Sequence, residues 1–559
     1  MKNSLNLLIG GEAGQGLVTI GELLAKSLVR SGYSIVVTQS YQSRIRGGHN
    51  TYMIRVSPEE IFSARESIDI LVALDQNTLT LHQNEVSASG FILIDQGFWC
   101  DGESCLKIPY RQLASERHSN VVALGVLGSL LGLDQGLLLK TLDDFFGKKD
   151  PKVGEENHRV LVEAFRWGSQ KPSNHKLPPA PKGSNRIMMN GNEAIAFGAI
   201  SAGLKFYSFY PMTPATTIGQ TLAGLAVKMG LVVEQAEDEI AAINMAIGAS
   251  FAGAPSMIGT SGGGFALMVE GVSLAAMTET PLVVVVAQRP GPATGLPTRT
   301  EQGDLNFVLH AGHGEFPRAI FAPGSVEECF ELSRKAFFLA EKYQGPMFLL
   351  TDQFLADSSR AIAPLRIEDL PFLQASNPNL SPSIPYQRFG LTKDGVSPRL
   401  IPGLTEHRVV AASDEHTEDG HLTEDLGVRK VMVEKRLKKA AGILQEVTPP
   451  EYFGSKNPDL LLVAWGSPKG AVLEAAEELR GTGKTIGVLH FSQVWPLVPD
   501  QFLHDLRGAQ EVAVVEGNAL GQFAGLIRRE TGFEIKTRIV RYDGLPMTPE
   551  FILRAIKNK

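Results

Sequence analysis

Two arginines and three threonines are concentrated in Arg289-Pro-Gly-Pro-Ala-Thr-Gly-Leu-Pro-Thr-Arg-Thr-Glu-Gln-Gly-Asp304. Guanidinium and hydroxyl groups at this density suit a small carboxylate. The run has neither the glycine spacing of a phosphate cradle nor a metal-ligand cluster. A second chemistry-bearing segment is Glu237-Asp-Glu-Ile-Ala-Ala-Ile-Asn-Met-Ala-Ile-Gly-Ala-Ser250, in which three acids precede an almost wholly apolar run. Acids in a first helical turn are favoured by the helix dipole, which accounts for Glu237 and Asp238. Glu239 lies closest to the apolar portion, where a carboxylate loses solvation unless it meets a donor. A cofactor nitrogen is one such donor. The third segment is Tyr210-Pro-Met-Thr-Pro-Ala-Thr-Thr217. Its prolines fix the backbone around Thr213. Thr213 then either presents its hydroxyl at a strand end or caps a helix with Pro214 at the first position.

These residues need a scaffold that ends strands in loops. Pro281-Leu-Val-Val-Val-Val-Ala-Gln-Arg289 reads as a buried parallel strand feeding the arginine loop, the place where an open α/β sheet holds its ligand. Further strands are expected at Phe206–Tyr210, Leu231–Gln235, Ser256–Thr260, Leu282–Ala287, Ala319–Ala322 and Pro346–Thr351, with helices between most of them. Ala194–Gly203 reads as a helix of small residues closed by Gly203. Before this unit, Leu5–Ile9, Leu17–Ser31 and Ser34–Thr38 read as strand, helix and strand. After it, Leu460–Trp465, Thr485–Phe491, Glu511–Glu516 and Ile539–Tyr542 read as strands alternating with helices. A Pro-, Ser- and Lys-rich stretch at 169–185 reads as a linker, and 386–455 as a connecting segment with a charged helix near Lys430–Leu444. The expected class is α/β with several doubly wound, mostly parallel sheets. The expected domains are 1–168, 186–385 and 456–559.

With 559 residues, several cores are needed. A formal net charge of -7 argues against a nucleic-acid surface or a polybasic membrane patch. Cys100, Cys105 and Cys329 are too few for an iron–sulfur cluster and do not read as a disulfide framework. With no signal pattern at the N-terminus and no apolar run of membrane length, a cytoplasmic location is expected.

The glycine loop Gly10-Gly-Glu-Ala-Gly-Gln-Gly16 follows a strand and opens a helix, but its spacing is not G-x-G-x-x-G, and Thr38-Gln39 stands where a ribose-binding acid is expected. It is a tight turn, an anion site at a helix N-terminus or, least favoured, a dinucleotide site. In the anion reading Gly14, Gly16 and Arg46 contribute, Arg46 from the basic segment Ser43-Arg-Ile-Arg-Gly-Gly-His-Asn50, with CoA as one ligand of that kind. The acidic-histidine run His416–Asp425 does not have the spacing of a known metal cage. No metal site is expected on this chain.

Taken together, Tyr210-Pro-Met-Thr-Pro, Glu237-Asp-Glu-Ile-Ala-Ala-Ile, Thr260-Ser-Gly-Gly-Gly-Phe and Gln288-Arg-Pro-Gly-Pro-Ala-Thr-Gly-Leu-Pro-Thr-Arg-Thr resemble, in order and spacing, the α subunit of 2-oxoacid:ferredoxin oxidoreductases. The N-terminal unit resembles that family's γ subunit through Gly10–Gly16 and Arg46-Gly-Gly-His-Asn50. The C-terminal unit resembles its transketolase-C-like domain through Ala464-Trp-Gly-Ser-Pro-Lys-Gly and Glu516-Gly-Asn-Ala-Leu-Gly-Gln. The fused γ–α order, with Glu415–Asp425, is most similar to the 2-oxoglutarate type.

The resemblance implies a thiamine-diphosphate enzyme that oxidatively decarboxylates a 2-oxoacid, with CoA accepting the acyl group and ferredoxin the electrons. It implies that Glu239 pairs with N1′ of the thiamine aminopyrimidine. It also implies that Arg289 and Thr213 contact the substrate carboxylate and that Thr298 makes a further substrate contact. Arg299 is close enough in sequence to serve a second carboxylate, as in 2-oxoglutarate. The chain lacks the Gly-Asp-Gly…Asn signature that holds magnesium and diphosphate. In the family that signature and a [4Fe-4S] cluster sit on a separate β subunit. The expected assembly is therefore a dimer of αβ pairs. Pyruvate, branched-chain 2-oxoacids and indolepyruvate are alternative substrates. A noncatalytic acyl-CoA- or nucleotide-binding protein is the alternative of another class.

Overall fold

The computed structural model describes residues 4–41, 48–100, 105–146, 151–181, 185–368, 370–372 and 384–558. The chain divides into two units. One comprises Met1–Asn190, Asp357–Leu365 and Thr548–Phe551; the other comprises Gly191–Ala356, Arg366–Met547 and Ile552–Lys559. Both are α/β.

The first unit is built on an eight-stranded sheet. Its order is Cys105–Ile108, Val86–Asp95, Ile68–Ala73, Leu5–Glu12, His49–Ser57, Ser34–Ser40, Ser359–Ile362 and Ile187–Asn190. The first four strands are parallel, and the remaining ladders are antiparallel. Side chains alternate across a strand, so Leu5–Glu12 feeds two cores. Leu7 and Ile9 join the helices Leu17–Arg30 and Ser119–Leu131 on one face. Leu8 joins Ile68, Leu71 and Ile92 on the other. Cys100 and Cys105 are linked as a disulfide, a single local bridge where the sequence pattern gave no disulfide framework. Their separation of five residues at the start of an edge strand allows it. Cys329 is free and buried.

The second unit contains two sheets. A seven-stranded sheet has the order Gln493–Trp495, Ile320–Phe321, Pro346–Asp352, Leu282–Gln288, Ser256–Thr260, Phe206–Phe209 and Val232–Gln235. Every ladder in it is parallel except the one made by Gln493–Trp495. Leu282–Gln288 is buried along its whole length, as its unbroken apolar sequence requires with strands on both sides. A five-stranded sheet has the order Glu451–Gly454, Ile486–Phe491, Leu460–Trp465, Glu511–Glu516 and Thr537–Val540. One apolar cluster runs through both sheets, from Ile258 and Val284 to Trp465, Phe491 and Phe523.

The helix Leu426–Gln445 is rich in charge, yet Lys435 and Lys439 are buried. Both reach the buried carboxylate of Glu279, at 2.7 and 2.5 Å. Arg388 donates to the Glu279 backbone carbonyl at 2.8 Å. Burial alone would raise the Glu279 pKa, but Lys439, Lys435 and Arg388 pull it down to about 2. Among the described residues no helix is long and apolar enough to cross a membrane.

Candidate active site

Where the seven-stranded sheet reverses its winding, two loops part. The chain leaves Phe206–Phe209 for the edge strand Val232–Gln235 and leaves Ser256–Thr260 in the opposite direction for Leu282–Gln288. Crevices at such switch points are where open α/β sheets bind ligands. The three chemistry-bearing segments of the sequence converge on this end of the sheet.

Glu239 opens the helix Glu239–Phe251, capped by Asp238, whose side chain accepts from the Ala241 N–H at 2.7 Å. Cap and first turn therefore divide the three acids. Asp238 satisfies an end N–H, and Glu237 is exposed. Glu239 is only 4% exposed. Its carboxylate lies over the start of the helix Gly262–Met277. A Cβ at Gly264 would come within 2.8 Å of Glu239 Oε1 and 2.2 Å of Thr260 Oγ1. Only glycine leaves the carboxylate that place. Among the described residues no donor is hydrogen-bonded to it.

Thr213 sits in the loop after Phe206–Phe209, and its peptide bond to Pro214 is cis. The following helix begins at Thr216 with Ala215 as its cap, so Thr213 is not a helix cap. The turn is held from behind by Asn192, fully buried at the start of the helix Gly191–Ala202. Asn192 Nδ2 donates to Pro214 O at 2.8 Å and to Thr217 Oγ1 at 2.6 Å. The spacing of Asn192 from Thr213 carries no recognisable signal, which is why sequence reasoning missed it.

Arg289 follows Leu282–Gln288, and its Nη1 donates to the Thr213 carbonyl at 2.8 Å. Burial lowers the Arg289 pKa, and Asp304 opposes this. Asp304 closes the loop. Its N–H donates to Gln288 Oε1 at 2.9 Å, and its carboxyl group packs so closely on Gly262 that a Cβ there would lie 2.4 Å from Oδ2. Burial pushes the Asp304 pKa up to about 6, with Arg289 pulling the other way. Burial and the Asp304 charge also raise Glu301. Thr298 is 9% exposed. Arg299 rests its Cβ and Cγ on Gly544, where a side chain would come within 3.2 Å.

The remaining sequence-predicted positions belong to the first unit. Gly16 adopts a left-handed conformation (φ 79) as the residue before the helix Leu17–Arg30, and Gly14 has φ 101 with open space around it. Both conformations suit glycine. Arg46 lies outside the described residues. In the second unit, the run His416–Asp425 folds on itself. His416 is buried against Phe389, and Glu415 is held by Arg429 and Arg436.

Against known proteins, residues 197–435 match the family "pyruvate flavodoxin/ferredoxin oxidoreductase, thiamine diP-bdg", and residues 6–167 match "pyruvate ferredoxin/flavodoxin oxidoreductase". The chain is 32% identical to the 2-oxoacid:ferredoxin oxidoreductase subunit alpha of Sulfolobus sp, over 99% of this chain and 97% of that one. It is 33% identical to the 2-oxoglutarate synthase subunit KorA of Archaeoglobus fulgidus, over 66% of this chain and 99% of the relative. A solved 2-oxoglutarate:ferredoxin oxidoreductase from Magnetococcus marinus, with 2-oxoglutarate, coenzyme A and succinyl-CoA bound, superposes with a TM-score of 0.93 over 100% of both chains at 32% identity. Fold and switch-point site thus define a thiamine-diphosphate-dependent oxidoreductase subunit of the α/β class. The chain belongs to the α subunits of the 2-oxoacid:ferredoxin oxidoreductases.

Proposed function

We propose that this α subunit acts on 2-oxoglutarate, converting it with CoA and oxidised ferredoxin to succinyl-CoA, carbon dioxide and reduced ferredoxin. The observation that carries the thiamine-dependent chemistry of this reading is the Glu239 carboxylate, buried at the switch point and met by no donor among the described residues. A carboxylate in that state calls for a donor from a ligand, and a thiamine aminopyrimidine offers one at N1′. When bound, thiamine diphosphate supplies the electron sink that lets a 2-oxoacid lose carbon dioxide. Glu239 holds the ring nitrogen by a charge-assisted hydrogen bond and sets its basicity. Arg289, with Thr213 and Thr298, receives the 1-carboxylate of the substrate. Arg289, already tied to the Thr213 carbonyl, orients it at low entropic cost.

The second carboxylate of 2-oxoglutarate needs a further cation, and Arg299 is our choice on this chain. The preference for 2-oxoglutarate is supported by the relatives named for that substrate and by the solved relative that binds it. That solved relative also binds CoA. On this chain we assign CoA phosphates to the N-terminal glycine loop, with Gly14, Gly16 and Arg46. A separate β subunit would hold the diphosphate, its magnesium ion and a [4Fe-4S] cluster, in a dimer of αβ pairs. The test is reduction of ferredoxin or a viologen dye by the assembled oxidoreductase across a panel of 2-oxoacids with CoA. We expect 2-oxoglutarate to give the highest kcat/KM. Equal turnover of pyruvate or a branched-chain 2-oxoacid overturns the substrate and leaves the reaction class standing.

A further inference from the structure

The five-stranded sheet has a switch point of its own. The chain leaves Leu460–Trp465 for Ile486–Phe491 on one side and leaves Glu511–Glu516 for Thr537–Val540 on the other. The loops after these two central strands part and open the crevice in which such sheets take a ligand. Here the chain itself fills that crevice. Gln302, 2% exposed, enters between the two loops. Its Nε2 donates to Trp465 O at 2.9 Å, and its Oε1 accepts from the Gly517 N–H at 2.8 Å. Its own N–H donates to Gly517 O at 2.6 Å. Both glycines are shaped to this guest. A Cβ at Gly466 would lie 2.9 Å from Gln302 Nε2, and one at Gly517 would lie 3.2 Å from Gln302 Cγ.

The helix N-terminus beside the crevice, Gln522–Thr531, is closed from within as well. Buried Glu516 accepts from the N–H groups of Phe523 and Ala524 at 2.9 and 3.0 Å. Neither the cleft nor the helix end is left open to an outside anion. Two more bonds fasten the same loop to this sheet's ends. The Thr300 N–H donates to Gly544 O at 3.2 Å, and Gln522 Nε2 donates to Gly303 O at 2.7 Å.

We infer that Gln302 is a positioning residue. By occupying the ligand crevice of the five-stranded sheet, it fixes the 289–304 loop in the form that receives the 2-oxoacid. The inference rests on the substrate reading of Arg289. The loop is rich in Gly and Pro, and residues 291–296 are exposed. Its anchors lie toward its two ends, Arg289 on the Thr213 carbonyl at one and Thr300, Gln302 and Gly303 on the five-stranded sheet's loops at the other, and Gln302 is the most deeply buried of the latter. An arginine held before the substrate arrives loses little freedom on binding. A loosened loop must be reordered by the 2-oxoacid alone, not by CoA or ferredoxin.

The test is steady-state kinetics of the assembled oxidoreductase carrying Gln302→Met, Gln302→Ala or Gly517→Ala, with Arg289→Met as a control. For both Gln302 variants we expect kcat/KM for the 2-oxoacid to fall about ten- to a hundredfold, mainly through KM, while KM for CoA and for ferredoxin stays within twofold. Gly517→Ala should give a smaller change of the same kind, and none on top of Gln302→Ala, because its added methyl group then meets no glutamine. An unchanged KM for the 2-oxoacid in all three overturns the inference, as does an equal loss against every substrate. If the Gln302 variants fail to assemble, Gly517→Ala decides alone. Should Arg289→Met leave KM for the 2-oxoacid unchanged, the substrate reading itself is wrong, and the role given to Gln302 goes with it. A raised KM in Arg289→Met beside an unaltered Gln302→Ala sinks only the positioning role.

Discussion

Arg289 Nη1 is hydrogen-bonded to the backbone carbonyl of Thr213 at 2.8 Å. The two residues lie in the loops after strands that are not neighbours, Phe206–Phe209 and Leu282–Gln288, since Ser256–Thr260 runs between them. One guanidinium N–H thus ties two loops across the mouth of the sheet. Among the described residues no other hydrogen bond takes up the rest of the fork. Arginine presents five donors in fixed geometry, so tethering one of them aims the remainder. Replacing Arg289 by Lys keeps the charge and gives up the bidentate fork. We expect KM for the 2-oxoacid to rise about tenfold or more, with a smaller change in kcat. Initial-rate measurements over substrate concentration check this.

Glu239 and Gly264 form a second pair. Gly264→Ala forces the Glu239 carboxylate or the Thr260 hydroxyl to move, since the new Cβ would lie 2.8 and 2.2 Å from them. Glu239→Gln leaves the shape and removes the charge. We expect Glu239→Gln to lower kcat by a factor of about 10² to 10⁴. Gly264→Ala should lower it less, with the assembly and its circular dichroism spectrum intact. Wild-type turnover by Glu239→Gln would remove Glu239 from the reaction.

Asp304 links stability to pH. Its pKa stands at about 6 in the folded chain because burial penalises the charged form. The unfolded chain releases that proton near 3.9. The folded state therefore holds the proton more tightly. This group's contribution to stability is full below about pH 4, is lost as pH rises to about 6, and is constant beyond. The difference is worth about 3 kcal/mol. Asp304→Asn should have a higher Tm than the wild type at neutral pH, with the gap widening from pH 4 to pH 6 and then level. A gap that is constant with pH contradicts this.

Glu279 works in the opposite sense. Its carboxylate, held down to about 2 by Lys439, Lys435 and Arg388, favours folding above pH 4.5, and that contribution is lost as pH falls toward 2. Glu279→Ala strands these cations in a buried site and should cost about 3–5 kcal/mol. Replacing Glu279 and Lys435 together by Leu and Met should recover part of that loss. Thermal melts of the two variants against the wild type measure both effects.

Arg299 is the residue we expect to discriminate between substrates. Arg299→Met should raise KM for 2-oxoglutarate about tenfold while leaving pyruvate within twofold. A parallel change for both acids would move the distal-carboxylate contact to another group, on this chain or on the β subunit.

Much of this molecule is legible in its order of residues. The strands Ser256–Thr260, Leu460–Trp465 and Glu511–Glu516 fall where expected, and Leu460–Trp465 shows why: a strand buried at every residue needs a continuous apolar run, which can be recognised locally. The charged helix, Leu426–Gln445, begins before the expected Lys430 because Asp425 caps it by accepting from the Val428 N–H, whereas the burial of its lysines depends on Glu279, more than 150 residues away. The segments bearing Glu239, Thr213 and Arg289 are marked by acids before an apolar helix, paired prolines and a Gly/Pro/Thr loop. These are short-range signals of burial, backbone restriction and hydrogen-bonding capacity. Tertiary structure alone decides which groups meet. The bond from Arg289 to Thr213 spans 76 residues, and that from Gln302 to Trp465 spans 163. Asn192, Asp304 and Gln302 take their importance from those meetings. Residue order fixes local conformation and burial, but the crevices form only when the sheets assemble and their loops diverge.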